Sequence, residues 1–255
     1  MKNISNKQAS DKLIFALDAA SMEEALSWVK LLSGHVGMFK VGKELFTAVG
    51  PKIIENIKQK GQKVFLDLKF HDIPNTVARA AEAAVKADVE MFNVHAMGGS
   101  KMIRETVSAA WACADKLGKA RPIILAVTVL TSLNNDDMAE IGFEKSTNEL
   151  VLRLAKMAQK AGASGVVSSA QDIAVLRANL DDKFVIVTPG IRGTAEEAKD
   201  DQKRTLSAYE AIKAGADYIV VGRPIRKAKD PLEACLQINQ EITAGLATIP
   251  FLNQR

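Results

Sequence analysis

Eight short β-type segments alternate with helical segments along the chain, and this alternation constrains the fold more than any other feature of the sequence. The candidate strands span residues 13–18, 36–41, 63–69, 90–94, 122–127, 164–168, 184–187 and 217–221. Several of them are rich in Val, Ile, Leu and Phe, which is typical of parallel strands that are covered on both faces. Strands that alternate with helices predict an α/β fold with a parallel sheet.

Capping residues mark the boundaries of the predicted helices. Three pairs have a Ser or Thr followed three residues later by Glu, the pattern of a capping box: Ser21 with Glu24, Ser146 with Glu149, and Thr194 with Glu197. Glycines stand where a helix is expected to end before the next strand: Gly61, Gly162 and Gly215. Because there is no linker, the chain is predicted to form a single-domain (β/α)8 TIM barrel over residues 13–245. Residues 246–255 are expected to be a C-terminal tail. A doubly wound open sheet is the alternative, since periodicity does not show closure.

Composition argues against several classes of function. The 34 basic and 30 acidic residues give a net charge of +4, and the basic residues are scattered rather than gathered in runs. Scattered charge gives no support to nucleic-acid or membrane binding. No apolar run reaches the roughly 18–20 residues that span a bilayer. Residues 1–12 are polar and lack the apolar segment of a signal peptide, so we expect a frayed N-terminal tail.

Cysteine and histidine usage indicates a reducing compartment and gives no metal-binding pattern. Cys113 and Cys235 both fall in predicted helices, which favours buried thiols in a cytoplasmic protein. His35, His71 and His95 are scattered and have no recognisable metal-ligand spacing. The sequence therefore predicts a cytoplasmic protein without a bound metal.

Polar side chains stand at the ends of the predicted strands, where a barrel of this kind forms its active site. The strand starts are mostly apolar. The polar residues at the strand ends or just beyond them are Asp18, Lys40, Asp67, Lys69, His95, Thr131, Ser132, Arg192 and Arg223. This asymmetry predicts a polar site at one rim of an apolar scaffold.

The third strand is the most informative. A period of two places Phe65, Asp67 and Lys69 on one face and Val64, Leu66 and Leu68 on the other. The apolar face suits the barrel–helix interface, so Asp67 and Lys69 are expected to point together into the barrel mouth. Lone buried charges are unfavourable, and Lys40 and Asp72 can complete an alternating Lys/Asp array. The array fits a catalytic centre or a structural ion-pair network, and Asp72 alternatively caps the helix that begins near Pro74.

A second polar region follows strands seven and eight, where barrels of this class commonly bind phosphate. Gly190 and Gly222 allow backbone N–H groups to approach an anion, and Arg192 and Arg223 each offer a planar guanidinium. Surface arginines on turns are the alternative interpretation. The long charged stretch between residues 188 and 205 is expected to form a lid over the phosphate, with Gln202 as a further contact.

Several motifs occur in the order expected for one known family. The longest spans residues 65–76 (FLDLKFHDIPNT), and the others span residues 15–18 (FALD), 39–44 (FKVGKE), 129–132 (VLTS), 188–192 (TPGIR), 200–204 (DDQKR) and 221–225 (VGRPI). With these motifs the chain resembles the bacterial orotidine 5′-phosphate decarboxylases. The resemblance covers nearly the whole chain and leaves out only the polar N-terminal tail and the last few residues.

The resemblance implies a TIM barrel that works as a homodimer, without metal or organic cofactor, and converts orotidine 5′-phosphate to UMP and CO2 in de novo pyrimidine biosynthesis. It implies that Lys69 protonates C6 of the pyrimidine, that Asp67 lies near the departing carboxylate, and that Lys40 and Asp72 complete a charged tetrad. Asp72 is implied to reach the site of the partner subunit. The implied substrate contacts are Asp18, Lys40 and Asp67, with Thr76 and Thr131, and with Arg192, Gln202, Gly222 and Arg223 near the phosphate.

Two other functions stay open at this point. Sugar-phosphate decarboxylases and aldolases of the hexulose-phosphate synthase type share an Asp-x-Lys-x-x-Asp core, but they use magnesium and act on acyclic sugar phosphates. Residues 71–76 (HDIPNT) and the Thr131-Ser132 pair favour the nucleotide enzyme. The other possibility is a catalytically silent nucleotide-binding barrel. The intact Lys/Asp array argues against it, because a binding protein has no use for two buried lysines that face carboxylates.

Overall fold

The computed structural model describes residues 6–144, 146–191 and 206–249, and these form a closed parallel barrel. Each strand pairs with the next along the chain, and β8 pairs with β1. The strands are β1 (Leu13–Leu17), β2 (Met38–Gly42), β3 (Val64–Phe70), β4 (Met91–His95), β5 (Ile123–Val127), β6 (Gly165–Val167), β7 (Val185–Thr188) and β8 (Tyr218–Val221). The predicted (β/α)8 barrel is confirmed, and closure excludes the open-sheet alternative.

Helices connect the strands and cover the barrel. Within the described ranges they are α1 (Asn6–Ser10), α2 (Met22–Leu32), α3 (Lys43–Val49), α4 (Lys52–Gln59), α5 (Pro74–Lys86), α6 (Gly99–Lys116), α7 (Asn135–Glu140), α8 (Thr147–Lys160), α9 (Ile173–Asn179), α10 (Ala208–Ala214), α11 (Arg223–Arg226) and α12 (Pro231–Ala247). Short 3-10 helices span Ala96–Gly98 and Ala170–Asp172. Over this part of the chain, no helix is both long and apolar enough to cross a membrane.

Side-chain alternation along the strands divides the core into two layers. One apolar cluster fills the inside of the barrel: Ile14, Ala16, Met38, Phe65, Met91, Leu125, Val187 and Val220. Their strand neighbours, such as Phe15, Phe39 and Leu66, belong to a larger cluster between the barrel and its helices. Each fully buried side chain of this size stabilises the fold by about 1.5–3 kcal/mol relative to an exposed one. The polar rim therefore stands on a well-buried apolar scaffold.

The predicted helix boundaries agree with the structure where it describes them. The Ser21 hydroxyl accepts the Glu24 N–H at the start of α2, and Ser146 does the same for Glu149 at α8. The three predicted helix-end glycines have positive φ: Gly61 at 71°, Gly162 at 91° and Gly215 at 108°. The third capping pair, Thr194 with Glu197, lies outside the described residues.

The prediction of a frayed tail over residues 1–12 is wrong for the part that the structure describes. Residues Asn6–Ser10 form α1, which packs against α12, and Ala9 is fully buried there. Such a short helix is not stable on its own, so its order depends on a tertiary contact that composition does not reveal. At the other end, α12 continues to Ala247, two residues beyond the predicted limit of the barrel domain, with Leu246 buried.

Ion pairs join the strands at their amino ends, on the rim opposite the predicted site. Arg177 pairs with Asp217 and also donates to the backbone carbonyls of Gly215 and Phe184. The Asp217 carboxylate also accepts the Ile186 N–H at 2.8 Å. These contacts connect α9 with the segments that lead into β7 and β8. They therefore form a structural network that holds these elements together.

Candidate active site

A cavity of about 250 Å³ opens at the carboxyl ends of the strands, where the sequence predicted a site. Its walls are formed by apolar side chains from the inside of the barrel and by polar residues at the strand ends and in the loops. The lining includes Asp18, Lys40, Phe65, Asp67, Lys69, Val127, Thr131, Val167, Gly190, Val220, Gly222 and Arg223. The structure therefore brings together seven of the predicted site residues that come from five different strands or the loops after them: Asp18, Lys40, Asp67, Lys69, Thr131, Gly222 and Arg223.

Four of these side chains form a row of alternating charge along one wall. The Lys40 ammonium lies 3.7 Å from Asp18 Oδ1 and 3.2 Å from Asp67 Oδ2. The Lys69 ammonium lies 2.7 Å from Asp67 Oδ1. Asp67 is thus held between two cations, one on each carboxylate oxygen. In the order Asp18, Lys40, Asp67, Lys69, every charge faces an opposite one, and all four residues line the cavity.

Asp67 stays ionised although it is nearly buried. Burial by itself would raise the pKa of this carboxyl, but the charges of Lys40 and Lys69 and hydrogen bonds from Lys69 and Asn93 lower it below its ordinary value. The side chain of Lys40 is also largely covered, at 11% exposed. A fixed, charged carboxylate can hold the Lys69 ammonium in one position without competing for its proton.

The backbone at Lys69 departs from a regular strand. Lys69 has a φ of 51°, in the left-handed region that non-glycine residues rarely adopt. The pairing of β3 with β4 also shifts there, because Leu66 pairs with Phe92 whereas Phe70 pairs with Val94. Four steps along β3 therefore match two along β4, and the extra residues bulge at the rim. Left-handed backbone of this kind occurs preferentially at functional sites.

The loops after β7 and β8 form the other wall of the cavity. Gly190 has a φ of 80°, in the left-handed region that favours glycine, and Gly222 is the residue that precedes α11. A Cβ on Gly222 would lie 3.2 Å from the Cβ of Ala16 and 3.3 Å from Asp18 Oδ2, so the neighbours would have to shift by a few tenths of an ångström to accept a side chain. Arg223 lines the same wall. The predicted Arg192, Gln202 and lid lie outside the described residues.

Comparisons with known proteins agree with this geometry. Residues 11–238 match the sequence model of the orotidine 5′-phosphate decarboxylase / HUMPS family. The chain belongs to this family. An orotidine 5′-phosphate decarboxylase from Syntrophus aciditrophicus is 57% identical over 247 residues, covering 96% of this chain and 98% of that protein. One from Geotalea daltonii is 48% identical and covers 93% and 98%. The crystal structure of the Lactobacillus acidophilus orotidine 5′-phosphate decarboxylase is similar, with a TM-score of 0.81, 39% identity and coverage of 91% and 99%.

Membership of the decarboxylase family makes the chain an enzyme. The array was open to two interpretations on sequence alone, a catalytic centre or a structural network. In the structure, the row faces a cavity, whereas the Arg177–Asp217 network that joins strands lies at the opposite end of the barrel. Among the residues that the structure describes, no group of three or more His, Cys, Asp or Glu side chains is arranged to hold a metal ion.

Two of the predicted site residues of this family member do not line the cavity. Asp72 and Thr76 are both exposed at the start of α5, where Ile73 is also 68% exposed. The alternative role of Asp72 as a helix cap is wrong, because Ile73 is the N-cap residue and makes no side-chain cap. The Asp72 carboxylate instead accepts the N–H of Ile73 at 2.6 Å. Both side chains lie on the exposed surface and not in the cavity lining.

Sequence reasoning missed two residues that shape the site. Asn93 contacts both Asp67 and Lys69, and the Arg226 guanidinium donates to the carbonyl of Asp18. Asn93 could have been found from its period-two position between the inward-facing residues of β4. Arg226 lies one turn into a four-residue helix, and no pattern in the sequence distinguishes it.

Two histidines stack beside the charged row. The rings of His71 and His95 lie 5.3 Å apart and are inclined by 24°. Burial, together with the positive charges of His71, Lys69 and Lys43, lowers the pKa of His95 to about 4. His95 is therefore neutral at physiological pH and adds no charge to the row.

Proposed function

We propose that this enzyme decarboxylates orotidine 5′-phosphate to UMP and CO2 in de novo pyrimidine biosynthesis. The named relatives and the family support this reaction. One observation in the structure supports the proposed role of Lys69 in it. The Lys69 ammonium, 2.7 Å from Asp67, faces a cavity that is large enough to hold part of a nucleotide. A fixed ammonium in a partly covered site stabilises negative charge as it develops and can then deliver a proton.

The proposed step is direct loss of CO2 from C6 of the pyrimidine. The bond between C6 and the carboxylate breaks, its electron pair stays on C6 in an orbital that the ring delocalises poorly, and C6 takes a proton from Lys69. Lys69 is left as a neutral amine and regains a proton from water. Lysine suits this role better than arginine because its compact ammonium can give up a proton. Asp67 favours the charged form of the ammonium and holds it in place, while Lys40 pairs with the other oxygen of Asp67.

The remaining contacts are proposed from the family resemblance, and the cavity lining supports several of them. We assign Asp18 and Lys40 to the ribose, Asp67 to the vicinity of the departing carboxylate, and Thr131 to the pyrimidine. The phosphate is assigned to the wall at the ends of β7 and β8, where Gly222 offers backbone and Arg223 a guanidinium. Arg192 and Gln202, which follow β7 in the sequence and lie outside the described residues, stay predicted as further phosphate contacts.

The enzyme is proposed to act as a homodimer in which Asp72 completes the charged tetrad of the partner subunit. The exposure of Asp72, next to the exposed apolar Ile73, supports this arrangement. The same arrangement would bring Thr76, at the start of α5, towards the partner's substrate. No metal or organic cofactor has a role in the proposed step, and both cysteines are free thiols, which fits a cytoplasmic enzyme.

A mixing experiment tests the role of Asp72. Asp72→Ala and Lys69→Ala are each expected to be inactive, but one site of a mixed dimer combines an intact Lys69 from one chain with an intact Asp72 from the other. After subunit exchange, activity should therefore return to about a quarter of the unmodified value, because about half of the dimers are mixed and each has one whole site. If Asp72 acted within its own chain, both sites of a mixed dimer would stay broken, and the mixture would remain inactive.

The reaction itself is tested on the unmodified protein after exhaustive chelation of metals. The absorbance of orotidine 5′-phosphate should change as UMP forms, with one CO2 released for each UMP. Added magnesium should leave the rate unchanged. Activity that appears only with magnesium, and only on an acyclic sugar phosphate, would point to the rival enzymes of the same barrel group and would overturn the proposal.

A further inference from the structure

The geometry points to Asn93 as a positioning residue for the decarboxylation, one that holds Asp67 and the backbone of Lys69 in their working arrangement. Asn93 lies on β4, is completely buried and is absent from the cavity lining. It therefore cannot touch substrate and acts only through its neighbours. This inference rests on the proposed function, because it assigns a task within the same site.

Both polar atoms of the Asn93 side-chain amide form hydrogen bonds with residues of the charged row. Its Nδ2 donates to Asp67 Oδ1 at 2.7 Å, and its Oδ1 accepts the backbone N–H of Lys69 at 2.8 Å. The orientation of the amide follows from its partners, since a flipped amide would place an acceptor against the carboxylate and a donor against an N–H. One buried amide thus joins the carboxylate that anchors the Lys69 ammonium to the backbone from which that ammonium projects.

The backbone that Asn93 holds is the strained one. Lys69 has a left-handed φ of 51°, in the segment where β3 and β4 lose their regular register. The Lys69 N–H is not bonded there by a regular parallel ladder. It donates instead to the side-chain oxygen of Asn93, Oδ1. Non-glycine residues keep such a conformation only where surrounding contacts fix it. Removing this acceptor should let the segment relax and move the Lys69 ammonium away from the reacting carbon.

The first test compares Asn93→Ala with Asn239→Ala. Asn239 is also a buried amide, but it donates to the carbonyl of His35, which precedes β2 on the amino side of the barrel. A misplaced reacting group commonly lowers the rate about 100-fold, so kcat of Asn93→Ala should fall by about that factor with little change in KM. Asn239→Ala should keep its kcat even if its thermal stability falls. Equal kcat values for Asn93→Ala and the unmodified enzyme would overturn the inference.

The second test uses Asn93→Asp, which keeps the shape of the side chain and its acceptor for the Lys69 N–H. The introduced carboxyl would face Asp67 at about the distance of the present hydrogen bond, and two carboxylates so close tend to share one proton. When that proton is bound, the lost donor is restored; when it leaves, the pair repels. The kcat of Asn93→Asp relative to the unmodified enzyme should therefore rise as the pH falls. A merely structural role predicts a ratio that does not depend on pH, and that result would contradict the inference.

A measurement that needs no turnover separates this inference from the proposed function. The hydrogen bond from Asn93 is one of the contacts that lower the pKa of Asp67, so the pKa of that carboxyl should rise in Asn93→Ala when it is followed by carbon NMR. An unchanged pKa for Asp67 would overturn the inference whatever the substrate. An unmodified protein that does not act on orotidine 5′-phosphate would overturn the proposed function instead.

Discussion

Replacing Lys69 with alanine should lower kcat/KM for orotidine 5′-phosphate by about 10⁴-fold or more, since it removes both the charge that stabilises the developing carbanion and the proton donor. Lys69→Arg should recover little of this loss. A guanidinium keeps the positive charge, but it does not give up a proton at neutral pH and is too broad to replace an ammonium 2.7 Å from Asp67. Initial rates followed by ultraviolet absorbance measure both variants.

The fold should survive the loss of Lys69, so the rate reports chemistry. Asp67 would still have the Lys40 ammonium at 3.2 Å and the Asn93 amide at 2.7 Å. Lys101→Ala, a surface change on α6 whose side chain is 78% exposed, is the matched control and should keep full activity. If Lys69→Ala turned over substrate at a rate close to that of the control, Lys69 would not be the proton donor.

Orotidine, which lacks the phosphate, should be decarboxylated with a kcat/KM about 10⁴-fold lower than that of orotidine 5′-phosphate, and kcat itself should fall as well as affinity. The proposed phosphate wall at the ends of β7 and β8 is separated around the barrel from Lys69 on β3 by β1 and β2. Binding energy gained at this remote wall can order the charged row and close the predicted lid, which a truncated substrate cannot bring about.

A comparison of one variant and the unmodified enzyme on both substrates assigns this effect to the phosphate wall. Arg223→Ala should lower kcat/KM for orotidine 5′-phosphate by about 100-fold, the effect of losing one partner of a covered charge pair, and should leave the slow rate on orotidine nearly unchanged. Steady-state kinetics of both proteins on both substrates complete the comparison. If Arg223→Ala slowed the two substrates by the same factor, Arg223 would not be a phosphate contact.

The period of two along β3 was enough to predict that Asp67 and Lys69 point into the barrel mouth together, with Phe65 beneath them. That prediction needs only strand geometry and the preference of apolar residues for the barrel–helix interface. The alternation of apolar strands with helices predicted the parallel α/β fold, whereas the closure of the barrel was predicted from the family resemblance and not from periodicity. The periodicity of a strand or helix is set by its own residues, so it can be recognised without knowing which other segments it packs against.

The left-handed backbone at Lys69 was not predictable, because it depends on a tertiary contact. The bulge in β3 exists where the Asn93 side chain, 24 residues further along, satisfies the Lys69 N–H. The polar Asn93 was visible on the inward face of β4, but a buried amide has many possible partners. The helix α1 was missed for a similar reason, since its stability comes from packing on α12.

The central claim is that a primary ammonium at position 69 protonates C6, and chemical restoration tests it most directly. Lys69→Cys should be inactive, and alkylation with 2-bromoethylamine should rebuild an ammonium of nearly the same length and return most of the lost turnover. Burial raises the pKa of the Cys235 thiol to about 12, so it should not react, and the unmodified protein treated in the same way controls for Cys113.

Alkylation of Lys69→Cys with iodoacetamide adds a neutral amide of similar size and should leave the protein inactive. We therefore predict turnover of orotidine 5′-phosphate after treatment with the amine reagent alone. Complete alkylation by 2-bromoethylamine without any return of activity, or equal activity after either reagent, would contradict the role of Lys69 as the proton donor.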